Sequence, residues 1–193
     1  MAFVDSDLVD QSEIGSVDAV KILIAGGFGV GKTTLVTTIS EITPLRTEER
    51  LTALGSAVDD LTGVETKTTT TVALDFGRVT LNPHLVLYMF GTPGQNRFWF
   101  MWNELSVGAL GAVVLADTRR LEDSFSAIDY FESRRIPFVI AVNCFDGADI
   151  YDEHEIRDAL AISNYAPVVL CDVRDRESSK NILVRLIEHI MAP

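Results

Sequence analysis

The stretch Ala25-Gly26-Gly27-Phe28-Gly29-Val30-Gly31-Lys32-Thr33-Thr34 constrains this chain more than any other. It fits G-x-x-x-x-G-K-[ST] from Gly26 to Thr33. Before it stands the apolar run Lys21-Ile22-Leu23-Ile24-Ala25, and after it a segment, Thr33 to Ile39, whose apolar residues fall on one helical face. Strand, glycine-rich loop and helix in that order make a phosphate-binding loop. The glycines let successive backbone N–H groups turn inward as a nest for phosphate oxygens, and the helix start adds the positive end of its dipole. Gly26, Gly27, Phe28, Gly29, Val30, Gly31 and Thr34 are expected to line the nest. Lys32 is expected to reach the β- and γ-phosphates, and the Thr33 hydroxyl to ligate Mg²⁺. The expectation is a nucleoside triphosphate site.

The 193 residues suit one domain with a proper core, and 47% hydrophobic with 23% charged residues describes a soluble globular chain. No apolar run approaches the roughly 20 residues needed to span a bilayer. The opening Met-Ala-Phe-Val-Asp has no basic region, so no secretory signal is expected, and no lipidation box is present. Membrane association is therefore expected only through a partner. A net charge of −12 argues against a nucleic-acid binder, whose footprint is basic. Cys144 and Cys171 match no metal spacing and are too few for a disulfide scaffold, so a reducing cytoplasm is expected. Residues 1–18 hold five acidic and no basic residues, which reads as a flexible acidic tail ahead of a domain at 19–193.

Apolar, β-prone runs fall at Val20–Ala25, Thr70–Thr80, His84–Phe90, Gly111–Ala116, Pro137–Asn143 and Pro167–Leu170. Helical patterns lie between most of them, at Thr33–Glu41, Arg97–Leu105, Ser124–Arg135, Asp152–Ala161 and Ser178–Ile190. Runs such as Ala112-Val113-Val114-Leu115-Ala116 are apolar throughout, as expected of strands covered on both faces. The alternation predicts an α/β fold: a doubly wound, mostly parallel six-stranded sheet with helices on both faces. Ligands of such sheets bind beyond the carboxyl ends of the strands. The long polar segment from Ile42 to Thr69 breaks the rhythm. It reads as an irregular, functional connection with a short helix around Glu48–Asp60.

Further motifs follow strand ends. Asn143-Cys144-Phe145-Asp146 follows an apolar strand. An aspartate there accepts from the N1–H and exocyclic amine of guanine, a donor pair that adenine lacks, while Asn143 ties this loop to the P-loop backbone. Alone, the tetrapeptide reads better as a turn or capping aspartate near Gly147, and its order and strand context after the P-loop reverse that preference. In Phe90-Gly91-Thr92-Pro93-Gly94-Gln95, the Gly94 N–H is a candidate γ-phosphate contact and Gln95 a candidate for orienting the attacking water. From the threonine run 66–71, Thr71 is the candidate to complete Mg²⁺ coordination. Cys171 and Asp172 stand where backbone N–H groups would meet the guanine O6.

P-loop, switch threonine, Pro-Gly-Gln, N-x-x-D and the Cys-Asp turn occur in the order of the five motifs of small GTPases. Over nearly all of residues 20–190 the chain resembles the Ras-like superfamily. Gly-Gly-Phe-Gly-Val-Gly-Lys-Thr, Phe-Gly-Thr-Pro-Gly-Gln and the run Gly111 to Asp123 look most like MglA-like and actinobacterial conserved-operon GTPases of bacteria. The resemblance implies a small regulatory GTPase that binds GTP and GDP with Mg²⁺ and hydrolyses GTP slowly. It implies partner exchange through switch I, about 42–71, and switch II, about 91–105. It also implies a Roadblock/LC7-type partner and a sensor-kinase-like membrane protein, hence a cytoplasmic protein that such a partner recruits to the membrane.

Three departures bear on activity. Gly91 stands where switch II usually opens with a metal-holding aspartate, and Asp75 on the neighbouring strand is a candidate substitute. Phe28 puts a ring near the γ-phosphate, which predicts slow intrinsic hydrolysis; Arg46 and Arg50 are possible sources of an arginine finger, as is a partner. Cys144 replaces the lysine of N-K-x-D, which predicts weaker nucleotide binding. The run Phe98-Trp99-Phe100-Met101-Trp102 exceeds what one helical stripe buries and is a candidate interface. Two other readings stay open: a nucleotide-binding scaffold with negligible hydrolysis, and a P-loop kinase.

Overall fold

The computed structural model describes residues 17–52, 69–94, 99–162 and 166–192. The chain runs β1 (Asp18–Gly26), α1 (Lys32–Ile39), β2 (Leu45–Thr52), β3 (Thr69–Asn82), β4 (Leu85–Gly91), α2 (Trp99–Ser106) and β5 (Ala109–Ala116). A 3₁₀ segment (Thr118–Ser124) then leads to α3 (Phe125–Arg134), β6 (Phe138–Asn143), α4 (Glu153–Ala159), β7 (Val168–Cys171) and α5 (Arg176–Met191). The strands form one sheet in the order β2-β3-β4-β1-β5-β6-β7. From β4 through β7 neighbouring strands are parallel, while β2, β3 and β4 pair antiparallel. The doubly wound, mostly parallel sheet expected from the apolar runs is present.

Apolar side chains alternate through the sheet to two cores. Ile22 and Ile24 of β1 and Val113 and Leu115 of β5 pack with Val36 of α1 and Ile182 and Leu186 of α5. On the opposite face Leu23, Ala25, Ala112 and Val114 pack with Trp102 of α2, Phe131 of α3 and Ile156 of α4. Burial on both faces is why these strands read as unbroken apolar runs. It also places β1 at the centre, flanked by β4 on one side and β5 on the other. Connections leave in opposite directions at that point, the kind of switch point beyond whose strand ends open α/β sheets bind ligands.

The sheet carries a seventh strand that the sequence reading lacks. Residues 45–52 extend antiparallel along β3, from Leu45 opposite Phe76 to Thr52 opposite Thr69. The helix expected around Glu48–Asp60 is therefore not formed over 48–52. Ladder hydrogen bonds to an otherwise open β3 edge outweigh the helix preference of a Glu- and Arg-rich run. Residues 53–60 of that expectation lie outside the described residues, as do residues 1–16 of the expected tail. β1 already begins at Asp18, opposite Leu85.

The aromatic run divides. Trp102 is 5% exposed and packs on Tyr130 and Phe131 with ring centroids 5.1 and 5.8 Å away. Phe100 is 58% exposed. Phe98 and the Trp99 side chain lie outside the described residues. Replacing Trp102 with Ala removes a large buried ring and leaves a cavity. Urea unfolding is expected to show a loss of about 3–5 kcal/mol, whereas Phe100→Ala is expected to cost under about 1 kcal/mol.

Candidate functional site

The turn from β1 to α1 is built on three glycines in the left-handed region, Gly26 at φ 132°, Gly29 at 76° and Gly31 at 110°. Two also need the absent side chain. A Cβ on Gly26 would fall 2.3 Å from the Leu115 carbonyl oxygen, and one on Gly31 would fall 2.9 Å from Asn143 Nδ2. The loop is thus pressed between β5 and the N-x-x-D turn. Val30 is buried beneath it, Thr34 is exposed, and Phe28 stands 68% exposed at the tip.

Lys32 opens α1 and folds back over the loop, donating to the carbonyl oxygens of Gly26 at 2.9 Å and Gly27 at 2.6 Å. Burial pulls its ammonium down to about 8, with the Asp75 charge partly offsetting. Gly94 sits against this lysine, since a Cβ there would lie 2.6 Å from Nζ and 3.0 Å from the Gly27 oxygen. The Pro-Gly turn after β4 and the P-loop are therefore in contact. Gln95, the candidate water-orienting residue, lies outside the described residues. Thr71 lies on β3, and its side chain is outside the described residues.

Thr33 Oγ1 donates to Asp75 Oδ2 at 2.5 Å. Asp75 reaches this position from β3, across β4. A Cβ on Gly91 would be 3.1 Å from Asp75 Cβ and 3.4 Å from its Oδ2. The carboxylate thus lies directly beside Gly91, where the small-GTPase pattern would carry an aspartate, and Gly91 makes room for it. A hydroxyl and a carboxylate in contact next to a phosphate nest are hard oxygen donors of the kind Mg²⁺ takes, with water and phosphate oxygens completing its shell. In that respect Thr33 and Asp75 fit the ion.

Asn143 is 4% exposed and joins three segments. Its Nδ2 donates to the Val30 carbonyl at 3.1 Å, and its Oδ1 accepts from the Val173 N–H at 3.2 Å. The backbone N–H of Cys144 donates to the Cys171 carbonyl at 2.7 Å, which clamps the ends of β6 and β7 together. Both thiols are free. Burial pushes the Cys171 thiol up to about 12, with Cys144 and Asp172 adding to the shift, so it remains a protonated packing group.

Asp146 lies at this same edge, its side chain 85% exposed and gripped by Arg174. Nη1 of Arg174 donates to Oδ2 at 2.8 Å and Nη2 to Oδ1 at 3.0 Å. The same guanidinium donates through Nε and Nη2 to Asp172, at 2.9 and 2.8 Å. Its hydrogen bonds hold both carboxyls below the usual carboxylate range. Arg174 carries no motif signal in the sequence, where it reads as a solvated charge.

A second set of contacts was also illegible. Buried Asp117 caps the 3₁₀ segment through the Arg119 N–H and holds the Arg119 guanidinium at 2.9 and 2.8 Å. Arg119 stacks over the Phe145 ring, 4.1 Å from its centroid. Arg120 Nη2 donates to the Phe28 carbonyl at 3.1 Å. The segment thereby bridges the P-loop tip and the N-x-x-D turn. Arg46 and Arg50 stand on β2 opposite Asp75 and Thr71, with side chains outside the described residues.

Lys32 predicts the pH dependence of anion binding. A bound polyphosphate raises the Lys32 pKa, so above about 8 binding must take up a proton. Affinity for a nucleoside triphosphate is expected to fall as pH rises from 7 to 9, by at most about tenfold per pH unit. Lys32→Met is expected to bind weakly with a flat profile. Calorimetry in buffers of different ionisation enthalpy reads the proton directly, and a flat wild-type profile would contradict the assignment.

The fold matches G domains. The G domain of the T. maritima FeoB iron transporter aligns with a TM-score of 0.62 at 19% identity, covering 89% of this chain and 99% of that one. The T. maritima FeoB cytosolic domain in a GDP form aligns at 0.65 and 18% identity, over 93% of this chain and 66% of that one. The Methanococcus jannaschii FeoB G-domain aligns at 0.61 and 13%, over 91% and 100%. An uncharacterized protein of Methanocaldococcus jannaschii is 33% identical over 135 residues, 69% of this chain and 75% of that protein. A family model described as "conserved hypothetical ATP binding protein" matches residues 24–193. The chain, with a G-domain fold and a complete P-loop, belongs to that family.

Proposed function

We propose that this protein is a small regulatory GTPase that binds GTP and GDP and exchanges partners according to which it holds. The observation that carries the reading is the Asn143 amide, which fixes the N-x-x-D turn against the Val30 carbonyl of the P-loop. Phosphate nest and purine-reading carboxylate then belong to one rigid edge of the sheet. The FeoB neighbours, one of them in a GDP form, share that fold and support the reading.

In this mechanism the P-loop amides and Lys32 hold the polyphosphate, with Lys32 trading the Gly26 and Gly27 carbonyls for phosphate oxygens. Thr33 and Asp75 would hold Mg²⁺, which supplies positive charge against the charge that develops on the phosphate oxygens. Gly94, in contact with Lys32, is placed to report the presence of a γ-phosphate to the residues after it. Gln95 orients water, and the exposed Phe28 at the loop tip supports slow turnover without a partner. Cys171 and Asp172 supply backbone contacts to the base.

For partners, exposed Phe100 supports a docking role for the aromatic segment within switch II. The bacterial MglA-like resemblance points to a Roadblock/LC7-type protein and a sensor-kinase-like membrane protein. Among the described residues no helix is long and apolar enough to cross a membrane, so placement at a membrane would come from such a partner. A second reading rests on the family's description as ATP binding. It makes Asp146 a surface carboxylate with no base to read, and leaves the chain an ATP-dependent scaffold or kinase.

Competition binding separates the two. GTP and GDP are expected to displace a fluorescent guanine nucleotide, with ATP weaker by about 10- to 100-fold, the cost of leaving one or two acceptor oxygens of Asp146 without a purine donor. Asp146→Ala is expected to erase that preference, and an unchanged preference would exclude Asp146 from base recognition. Gln95→Ala is expected to slow single-turnover GTP hydrolysis while leaving GDP affinity intact. An unaffected rate would assign the water to another group.

A further inference from the structure

We propose that Arg174 is a built-in competitor for the purine at Asp146, so that the base-reading turn occludes itself and guanine must displace a guanidinium to bind. The proposal rests on the guanine reading of Asp146 given above.

The competition follows from matching shapes. Arg174 offers Asp146 two coplanar N–H donors, from Nη1 to Oδ2 and from Nη2 to Oδ1. The N1–H and exocyclic amine of guanine form the same kind of planar donor pair. A carboxylate accepts one such fork at a time, because a planar donor pair needs the two lone pairs that point to the same side, and the remaining ones diverge. Purine and Arg174 therefore exclude each other at Asp146.

The rest of the turn is arranged so that the exchange costs little. Arg174 faces two carboxylates with two edges of one guanidinium. The Nη1/Nη2 edge meets Asp146, and the Nε/Nη2 edge meets Asp172 at 2.9 and 2.8 Å. Asp172 is itself fixed. Its Oδ1 accepts the Arg174 backbone N–H at 2.9 Å, and its own N–H donates to Ser178 Oγ at 3.0 Å. When purine takes Asp146, Arg174 keeps its Nε/Nη2 fork on Asp172, and one N–H each of Nη1 and Nη2 returns to water. Asp172 is thus the parking site, and its charge keeps the guanidinium within reach for re-entry when the base leaves. The pair is exposed, with Arg174 56% and Asp146 85% open to solvent, so the barrier is small and sensitive to salt. Adenine, which offers no such donor pair, gains nothing by displacing the arginine. The device would therefore slow and weaken guanine entry while leaving adenine largely untouched, so that it tempers the preference for guanine.

Stopped-flow association and equilibrium binding of a fluorescent GDP analogue, with an adenine analogue alongside, test the idea on the full chain. Arg174→Ala is expected to bind the guanine probe faster and about two- to five-fold more tightly at low salt, with the gap closing at high salt. Adenine binding is expected to change less, or not at all. Arg174→Lys keeps the charge but not the planar fork, and is expected to fall between the two. Equal or weaker guanine binding by both variants, with thermal stability unchanged, would overturn the proposal and make Arg174 a support for the base. Absence of guanine preference in the wild type would be a different failure, that of the guanine reading itself.

Discussion

A single buried amide organises the carboxyl edge of this sheet. Asn143 ends β6 with no room to reorient, and both of its polar ends are spent across the chain, on Val30 of the P-loop and Val173 after β7. Buried amides left unpaired cost about 1–3 kcal/mol, so this cross-link ties loops that otherwise share no covalent proximity. It reaches across 113 positions in one direction and 30 in the other. Around it the glycine at 31 has no space for a side chain, and the clamp from Cys144 to Cys171 is held closed. A phosphate nest alone binds many anions. Fixing a second loop at a set distance from it would, on the proposed reading, let one site contact both ends of a nucleotide.

Much of this was legible in residues because it is local. The central strands declare themselves by continuous apolarity, since helices cover both of their faces. The P-loop declares itself because its backbone demands glycines at 26, 29 and 31. Even the ligand edge follows from strand order, once β1 is seen to lie between strands that depart in opposite directions. What was not legible depends on distant partners. β2 reads as Leu-Arg-Thr-Glu-Glu-Arg-Leu-Thr, a run with no apolar alternation, and becomes a strand because β3 offers it an edge. Arg174 and Arg120 look like ordinary surface charges until the fold brings one to Asp146 and the other to the Phe28 carbonyl. The aromatic run illustrates the middle case. Its excess of large rings was visible, but only packing decides that Trp102 enters the core and Phe100 does not.

The electrostatics of the edge are divided between its two ends. At the phosphate end a desolvated lysine, with its pKa near 8, and an adjacent carboxylate form a pair whose balance any anion will upset. At the other end an arginine is shared between two exposed carboxylates. The 3₁₀ segment after β5 touches both, through Arg120 at the loop tip and Arg119 over Phe145. One capped segment, anchored on buried Asp117, thus touches both loops.

The position of Asp75 carries a mechanical consequence. In this chain the acid beside Thr33 belongs to the middle of an antiparallel ladder, between Arg46 on one side and the β4 hairpin on the other, and not to a loop. Side chains alternate faces along a strand, so a slide of β3 by one residue would carry that carboxylate through to the opposite side of the sheet. If Thr33 and Asp75 hold the ion as proposed, their grip would become an all-or-none report on how the outer ribbon is zipped. A protein that tugs on that ribbon would be pulling, at a distance, on the ion.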